Sequence, residues 1–75
     1  MDEEAEIVLR VYTEGLGWAS ITEQVLGDRV YEYRIRMEEE GKASPDIRIH
    51  SYSGMIPTEA LSTTVKQFIK VWRED

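Results

Sequence analysis

Arginine, aromatic and histidine side chains recur at every second position in three segments of the chain. In residues 29–38, for example, Arg34 and Arg36 share one parity with Glu32. Arginine binds phosphate or carboxylate groups through a bidentate fork and stacks on flat rings. Aromatic rings exposed on a sheet stack unpaired bases, each contributing about 1–3 kcal/mol. These residue types, in this pattern, indicate a binding surface rather than a catalytic centre.

The same alternation predicts the elements that carry these side chains. A period of two is typical of a strand with one buried and one exposed face. We predict strands at residues 6–13, 18–26, 29–38 and 46–52. Residues 18–26 also fit a short helix, because Ser20 and Glu23 have capping-box spacing, but two turns of helix would be marginal. A glycine-rich turn at 14–17 and a two-residue turn at Gly27-Asp28 would join the first three strands.

From Pro57 onward the period of the apolar residues changes to that of an amphipathic helix, which we predict at residues 57–73. Its apolar stripe consists of Leu61, Val65, Phe68, Ile69 and Trp72. Glu59 near its start and Lys66, Lys70 and Arg73 near its end complement the helix dipole.

The predicted fold class is α+β: a four-stranded antiparallel β-meander with one C-terminal α-helix packed on one face, ββββα. We expect one domain over residues 1–75, with a frayed N-terminus at 1–5, the sheet at 6–52, a polar loop at 39–45 and the helix at 57–73. The inward-facing strand residues would meet the helix stripe, and they are Ile7, Leu9, Val11, Ile21, Val25, Tyr31, Tyr33, Ile35, Met37, Ile47 and Ile49.

A single helix covers only one side of such a sheet, so the other face meets water or a partner. The residues of outward parity that we select as a candidate ligand-binding face are Arg10, Tyr12, Trp18, Arg34, Arg36, Arg48, His50 and Tyr52. Val8 is also expected to point outward, as are the polar residues Ser20, Thr22, Gln24 and Glu32.

Three interpretations of this face stay open. It could bind single-stranded nucleic acid through its arginines and rings. The 15 acidic against nine basic residues, a net charge of −6, favour instead an acidic module that binds a protein, such as an adaptor, an inhibitor, a phage anti-defence factor or a nucleic-acid mimic. It could also be ordinary surface, with Arg34 or Arg36 paired across strands to Asp46 or Glu32.

The order of four strands and a helix, with Asp46-Ile47-Arg48 in the last strand, resembles the positive-cofactor type of transcriptional coactivator. Members of that family are small dimers that bind single-stranded DNA on a curved sheet and pair through their helices. The resemblance could span residues 6 to 73, and Arg48 is the basic position that matches. It implies DNA binding on the uncovered sheet face.

Other functions lack a motif. The chain has no cysteine, a single histidine and no glycine loop for phosphates, so we expect no metal, no cofactor and no enzymatic activity. It has no apolar run of about 20 residues and an acidic start, from which we expect a cytoplasmic protein without a membrane partner. Two open sheet edges and the helix each offer a surface for a homodimer.

Overall fold

The fold is that of a computed structural model, which describes residues 5–39 and 47–74, with side chains described up to residue 73. Its elements, in chain order, are β1 (Glu6–Thr13), β2 (Gly17–Gly27), β3 (Val30–Met37), β4 (Ile47–Ser51) and α1 (Thr58–Glu74). The strands form one antiparallel sheet in the order β1-β2-β3-β4, which confirms the predicted α+β meander with a C-terminal helix. Most of the predicted frayed N-terminus and of the loop at 39–45 lies outside the described residues.

The ambiguous second segment is a strand. β2 pairs with β1 on one side and with β3 on the other, so both rows of its backbone groups are used in the sheet. The alternative of a short helix over residues 18–26 is therefore wrong. Cross-strand pairing on two sides outweighs the local capping signal of Ser20 and Glu23.

The two hairpin turns differ in how well the sequence predicts them. In the first, Gly15 and Gly17 adopt positive φ angles of 88° and 91°, and the Leu16 amide donates to the Thr13 carbonyl at 3.0 Å. The second turn consists of Asp28 and Arg29, not of Gly27 and Asp28 as predicted.

The shift in the second turn has a local cause. Gly27 still pairs with Val30, while an irregularity between Val25 and Gly27 leaves Leu26 unpaired in the ladder. The left-handed position therefore falls on Arg29, whose φ is 62°. This conformation is uncommon for a residue other than glycine, asparagine or aspartate.

The hydrophobic core lies between one sheet face and α1. Its buried members are Val11, Ala19, Ile21, Tyr33, Ile35, Met37, Leu61, Val65 and Ile69. The helix residues in this group follow i, i+4, i+8, which places them on one line along the axis. Thr58 begins the helix, and the amide of Leu61 donates to the Pro57 carbonyl at 2.9 Å.

Three residues predicted to be buried are exposed instead: Ile7 by 62%, Val25 by 43% and Phe68 by 41%. Val25 pairs with Tyr31 near the second hairpin turn, beyond the Glu23–Tyr33 pair at which the buried cluster ends. Phe68 lies one helical step beside Ile69, so the buried stripe is narrower than predicted.

Ile7 is exposed because β1 is irregular. Ile7 pairs with Thr22 and Leu9 pairs with Ile21, which leaves Val8 as an additional residue between two consecutive pairs. Such a bulge reverses the alternation on one side of it. Ile7 consequently joins the outward parity, whereas Val8, predicted to point outward, packs partly buried against the core.

A polar interaction that the apolar pattern does not predict lies within the core face. The fully buried Tyr33 hydroxyl donates to the Glu23 carboxylate at 2.7 Å and accepts from the Ile56 amide at 3.0 Å. Burial, and then the bond to Glu23, raise the pKa of Tyr33 to about 12. This phenol therefore links the sheet to the segment that leads into α1.

Candidate binding face of the sheet

The sheet face opposite α1, which we call the open face, carries the residues selected from the sequence. Because β2 and β3 pair in register, Trp18, Ser20, Thr22 and Gln24 lie on the side away from the core, together with Arg36, Arg34 and Glu32. Tyr52 follows the last residue of β4 and is 73% exposed. All eight candidate residues lie within the described part of the chain.

The centre of the open face is a cluster of three arginines, Arg34, Arg36 and Arg48, which we call the arginine cluster. Arg34 and Arg48 are directly opposite each other on β3 and β4. Residues in this relation have Cβ atoms about 4.5–5.5 Å apart, and like charges placed there are destabilising. Arg36 lies two residues along β3, which is about 7 Å further on the same face.

Of the ion pairs predicted for this cluster, only those with Glu32 fall within the described residues, and they are not formed. Glu32, one expected partner of Arg34 or Arg36, lies 3.1 Å from His50 instead. Asp46, the other, lies outside the described residues. No ion pair joins the arginine cluster to any carboxylate in residues 5–39 and 47–73.

The fourth arginine is held differently. Arg10 donates from Nε to Glu38 Oε2 at 2.6 Å and from Nη2 to Glu38 Oε1 at 2.7 Å, a bidentate pair. These bonds raise the pKa of Arg10 and lower that of Glu38. The guanidinium carbon also lies 4.5 Å from the ring centroid of Trp18. Arg10 is thereby fixed over an aromatic ring and is not an unpaired cation.

Two aromatic groups flank the arginine cluster at opposite ends of the face. At one end the rings of Tyr12 and Trp18 meet edge to face with centroids 5.5 Å apart, and they are 55% and 45% exposed. At the other end the rings of His50 and Tyr52 are stacked with centroids 6.4 Å apart. The sequence-based interpretation predicted the membership of the face but not this division into two ring pairs.

A second basic group lies off the open face and was not selected from the sequence. A groove of 430 Å³ between the end of β1 and the last turns of α1 is lined by Tyr12, Thr13, Glu14, Lys66, Lys70 and Arg73. The three cations are spaced at i, i+4 and i+7, which places them on one stripe of the helix. This spacing is visible in the sequence and could have identified the group. Because the sequence analysis explained these three charges by the helix dipole, it did not identify them as a basic group.

Among the described residues, no group of three or more histidine, aspartate or glutamate side chains is placed so that it could hold a metal ion. In the same part of the chain, no helix is both long and apolar enough to cross a membrane.

Comparison with known proteins gives no further constraint on this face. No protein-family model, no curated protein and no solved structure matches the chain. The resemblance to the coactivator family stays a prediction.

Proposed function

We propose that this chain is a non-enzymatic binding module that takes single-stranded nucleic acid on its open face. The observation that carries the proposal is the arginine cluster, in which Arg34 faces Arg48 across two strands with no carboxylate paired to either among the described residues. A ligand that supplies phosphates to all three guanidinium groups would neutralise this repulsion.

The cluster is costly to the unbound protein. A like-charge pair at directly opposite positions destabilises a sheet by an amount comparable to the 0.2–1 kcal/mol that a favourable pair contributes. The chain has 15 acidic residues, and two other side chains of the same face, those of Arg10 and His50, each have a glutamate within hydrogen-bond distance. That none of the described carboxylates pairs with the central three arginines favours a role in binding over a role in stability.

The aromatic pairs suit the bases of the same ligand. Exposed rings accept bases by stacking, with little dependence on sequence. From Glu32 to Glu38 the face extends about 20 Å along β3, at about 3.3 Å per residue. That is the length of about six stacked nucleotides at 3.4 Å each. Phosphates on the central arginines would leave bases within reach of Trp18 at one end and Tyr52 at the other.

Fluorescence anisotropy of labelled single-stranded DNA and RNA tests the proposal directly. We expect Arg34→Gln and Arg48→Gln each to weaken binding by about 5- to 100-fold, because each removes a charge-assisted contact. Arg29→Gln is the matched control, since it makes the same charge change in the exposed second hairpin turn, away from the cluster. Equal effects of all three substitutions, or no binding at low salt, would refute nucleic-acid recognition by this face.

A protein partner is the second candidate, and one contact on the face favours it. Arg10 already holds a carboxylate in the bidentate geometry that a partner's acidic side chain would use. In that case the module would be an adaptor or inhibitor whose affinity is concentrated in a few arginine and aromatic anchors. Absence of nucleic-acid binding, with capture of a stoichiometric protein that depends on Arg34, would select this candidate.

The proposal includes a cytoplasmic location and a homodimer. On α1, Phe68 is 41% and Val71 is 58% exposed, so two apolar side chains at i and i+3 are available to a second copy. Sedimentation velocity at micromolar concentration would detect a dimer, and Phe68→Gln should dissociate it if the helices form the interface. A dimer unaffected by this change would have to pair elsewhere, for instance along a sheet edge.

A further inference from the structure

We infer that the groove beside the end of β1 is a second anion site, and that it binds a phosphate monoester such as the phosphorylated end of a nucleic-acid strand. The groove and its charged residues are separate from the arginine cluster. The assignment of the phosphate to a nucleic-acid end rests on the proposed function.

The groove concentrates positive charge in an acidic protein. Lys66, Lys70 and Arg73 supply three of the nine basic residues of the chain, against one carboxylate in the lining, that of Glu14. No ion pair occupies Lys66 or Lys70 within the described ranges. A local charge of about +2 matches the dianionic form that a phosphate monoester adopts near pH 7.

The walls of the groove are fixed by contacts that leave donors available. Arg73 donates from Nη1 to the Glu14 carbonyl at 2.8 Å, and its guanidinium lies against Gly15. A guanidinium has five N–H donors, so this contact anchors Arg73 and leaves others for a ligand. A β-carbon at Gly15 would make only ordinary contact with the guanidinium, at 3.7–3.9 Å, so the glycine is required by its φ of 88° and not by the space beside Arg73.

Thr13 adds a polar group that has no partner among the described residues. Its hydroxyl oxygen is buried and finds no hydrogen-bond acceptor or donor in that part of the chain. Val11, two residues earlier on β1, is part of the core, so Thr13 has the inward parity that faces α1. Unsatisfied buried hydroxyl groups are uncommon and call for an explanation. A movement of the Thr13 side chain toward the groove would let this hydroxyl donate to a phosphate oxygen and so supply the missing bond.

Tyr12 joins the groove to the open face. It contributes to the groove lining, and its ring also meets Trp18 on the open face. A strand whose bases stack at Tyr12 and Trp18 could place its terminal phosphate among Lys66, Lys70 and Arg73 around the edge of the sheet. Small-molecule sites typically have volumes of about 300–1,000 Å³, so 430 Å³ is enough for one phosphate group and its sugar.

Two titrations test the inference. In the first, inorganic phosphate is added to the isotopically labelled protein at constant ionic strength, and backbone amide shifts are followed by NMR. We expect saturable shifts at Thr13, Glu14 and Lys70, lost in the double variant Lys66→Gln/Lys70→Gln and retained in Arg34→Gln. Shifts that are absent, or that survive the double variant, would overturn the phosphate site.

In the second titration, one oligonucleotide is compared with a 5′-phosphate, with a 3′-phosphate and with neither. We expect one terminal phosphate to tighten binding by about fivefold or more, and the double variant to abolish that gain while binding the unphosphorylated strand as the unmodified protein does. Strand binding with no gain from either phosphate overturns the assignment to a nucleic-acid end. Phosphate shifts in the groove without any strand binding would refute the proposed function and leave the phosphate site standing.

Discussion

At the scale of single residues, the facing pair Arg34 and Arg48 yields a prediction about stability as well as about the proposed binding. Removing one charge relieves the cross-strand repulsion, so we expect Arg34→Gln to raise the free energy of unfolding by about 0.2–1 kcal/mol while it weakens ligand binding. Urea denaturation at low salt measures the gain, which screening should reduce as salt is added. Arg29→Gln, with the same charge change, is the control. A loss of stability in Arg34→Gln would mean that this guanidinium supports the fold.

Tyr33 gives a second prediction at this scale, because its buried hydroxyl satisfies both Glu23 and the Ile56 amide. Tyr33→Phe leaves both groups without this partner, and we expect a loss of about 1–3 kcal/mol at pH 7. Circular dichroism during urea denaturation measures it. Since the Ile56 contact holds the segment before α1, the loss should be larger than for a tyrosine-to-phenylalanine change at the exposed Tyr52.

The pKa of Tyr33 makes this difference depend on pH. In the folded protein it is raised to about 12 from an ordinary value of 10.0, so the neutral phenol is the form that the fold favours. The resulting stability is fully present below pH 10 and is lost as the pH rises through 12. Two pKa units correspond to about 3 kcal/mol. The free energies of unfolding of the unmodified protein and of Tyr33→Phe should therefore converge by up to that amount between pH 10 and 12. Parallel pH profiles would contradict the proposed role of this hydroxyl.

At the scale of elements, the bulge in β1 separates two adjacent apolar residues. Val8 packs against the core and Ile7 is 62% exposed, the reverse of what alternation predicts. We expect Val8→Thr to cost about 1 kcal/mol, because it places a hydroxyl in an apolar contact. Ile7→Thr should stay within about 0.5 kcal/mol, as is usual at exposed positions. Thermal denaturation of both variants gives the comparison. A larger loss of stability for Ile7→Thr than for Val8→Thr would mean that β1 pairs in the regular register, without the bulge.

The same elements show what a single sequence can predict. Alternation in residues 29–38 was enough to assign β3 and its two faces, because burial on one side enforces a period of two. A bulge breaks that period, and no residue type in β1 signals where the bulge lies. The orientation of Ile7 and Val8 could therefore not be predicted. The second turn moved to Asp28-Arg29 for the same reason, since an irregularity at Leu26 shifted the pairing.

The candidate site was predictable to the same extent. Outward parity identified Arg34, Arg36 and Arg48 as members of one face, but not which side chain of that face a carboxylate would contact. Glu32 could reach Arg34, two residues along β3, or His50, opposite it on β4, and only the positions of the side chains decide between them. The basic groove needed more information still, because it depends on how α1 lies beside the end of β1, a relation between elements distant in sequence.

At the scale of the whole molecule, a net charge of −6 coexists with an arginine cluster that pairs with no carboxylate of the described residues. The overall charge repels polyanions at a distance, so attraction should come only from the few phosphates that contact arginine. For a single strand, log K falls with log salt concentration with a slope of about −0.7 for each neutralised phosphate. Three arginines therefore predict a slope of about −2 for an unphosphorylated strand.

Anisotropy titrations would give this slope. They should span about 25 to 200 mM salt, the order of the range in which such slopes are measured. The double variant Arg34→Gln/Arg48→Gln should reduce its magnitude to about 0.7, because only Arg36 remains. Arg29→Gln should leave the slope unchanged although it lowers the net charge by one. A slope that follows net charge instead of position would mean that the long-range field of the protein governs binding. If the slope changes with the substitutions at Arg34 and Arg48 but not with Arg29→Gln, the phosphates are recognised at the arginine cluster.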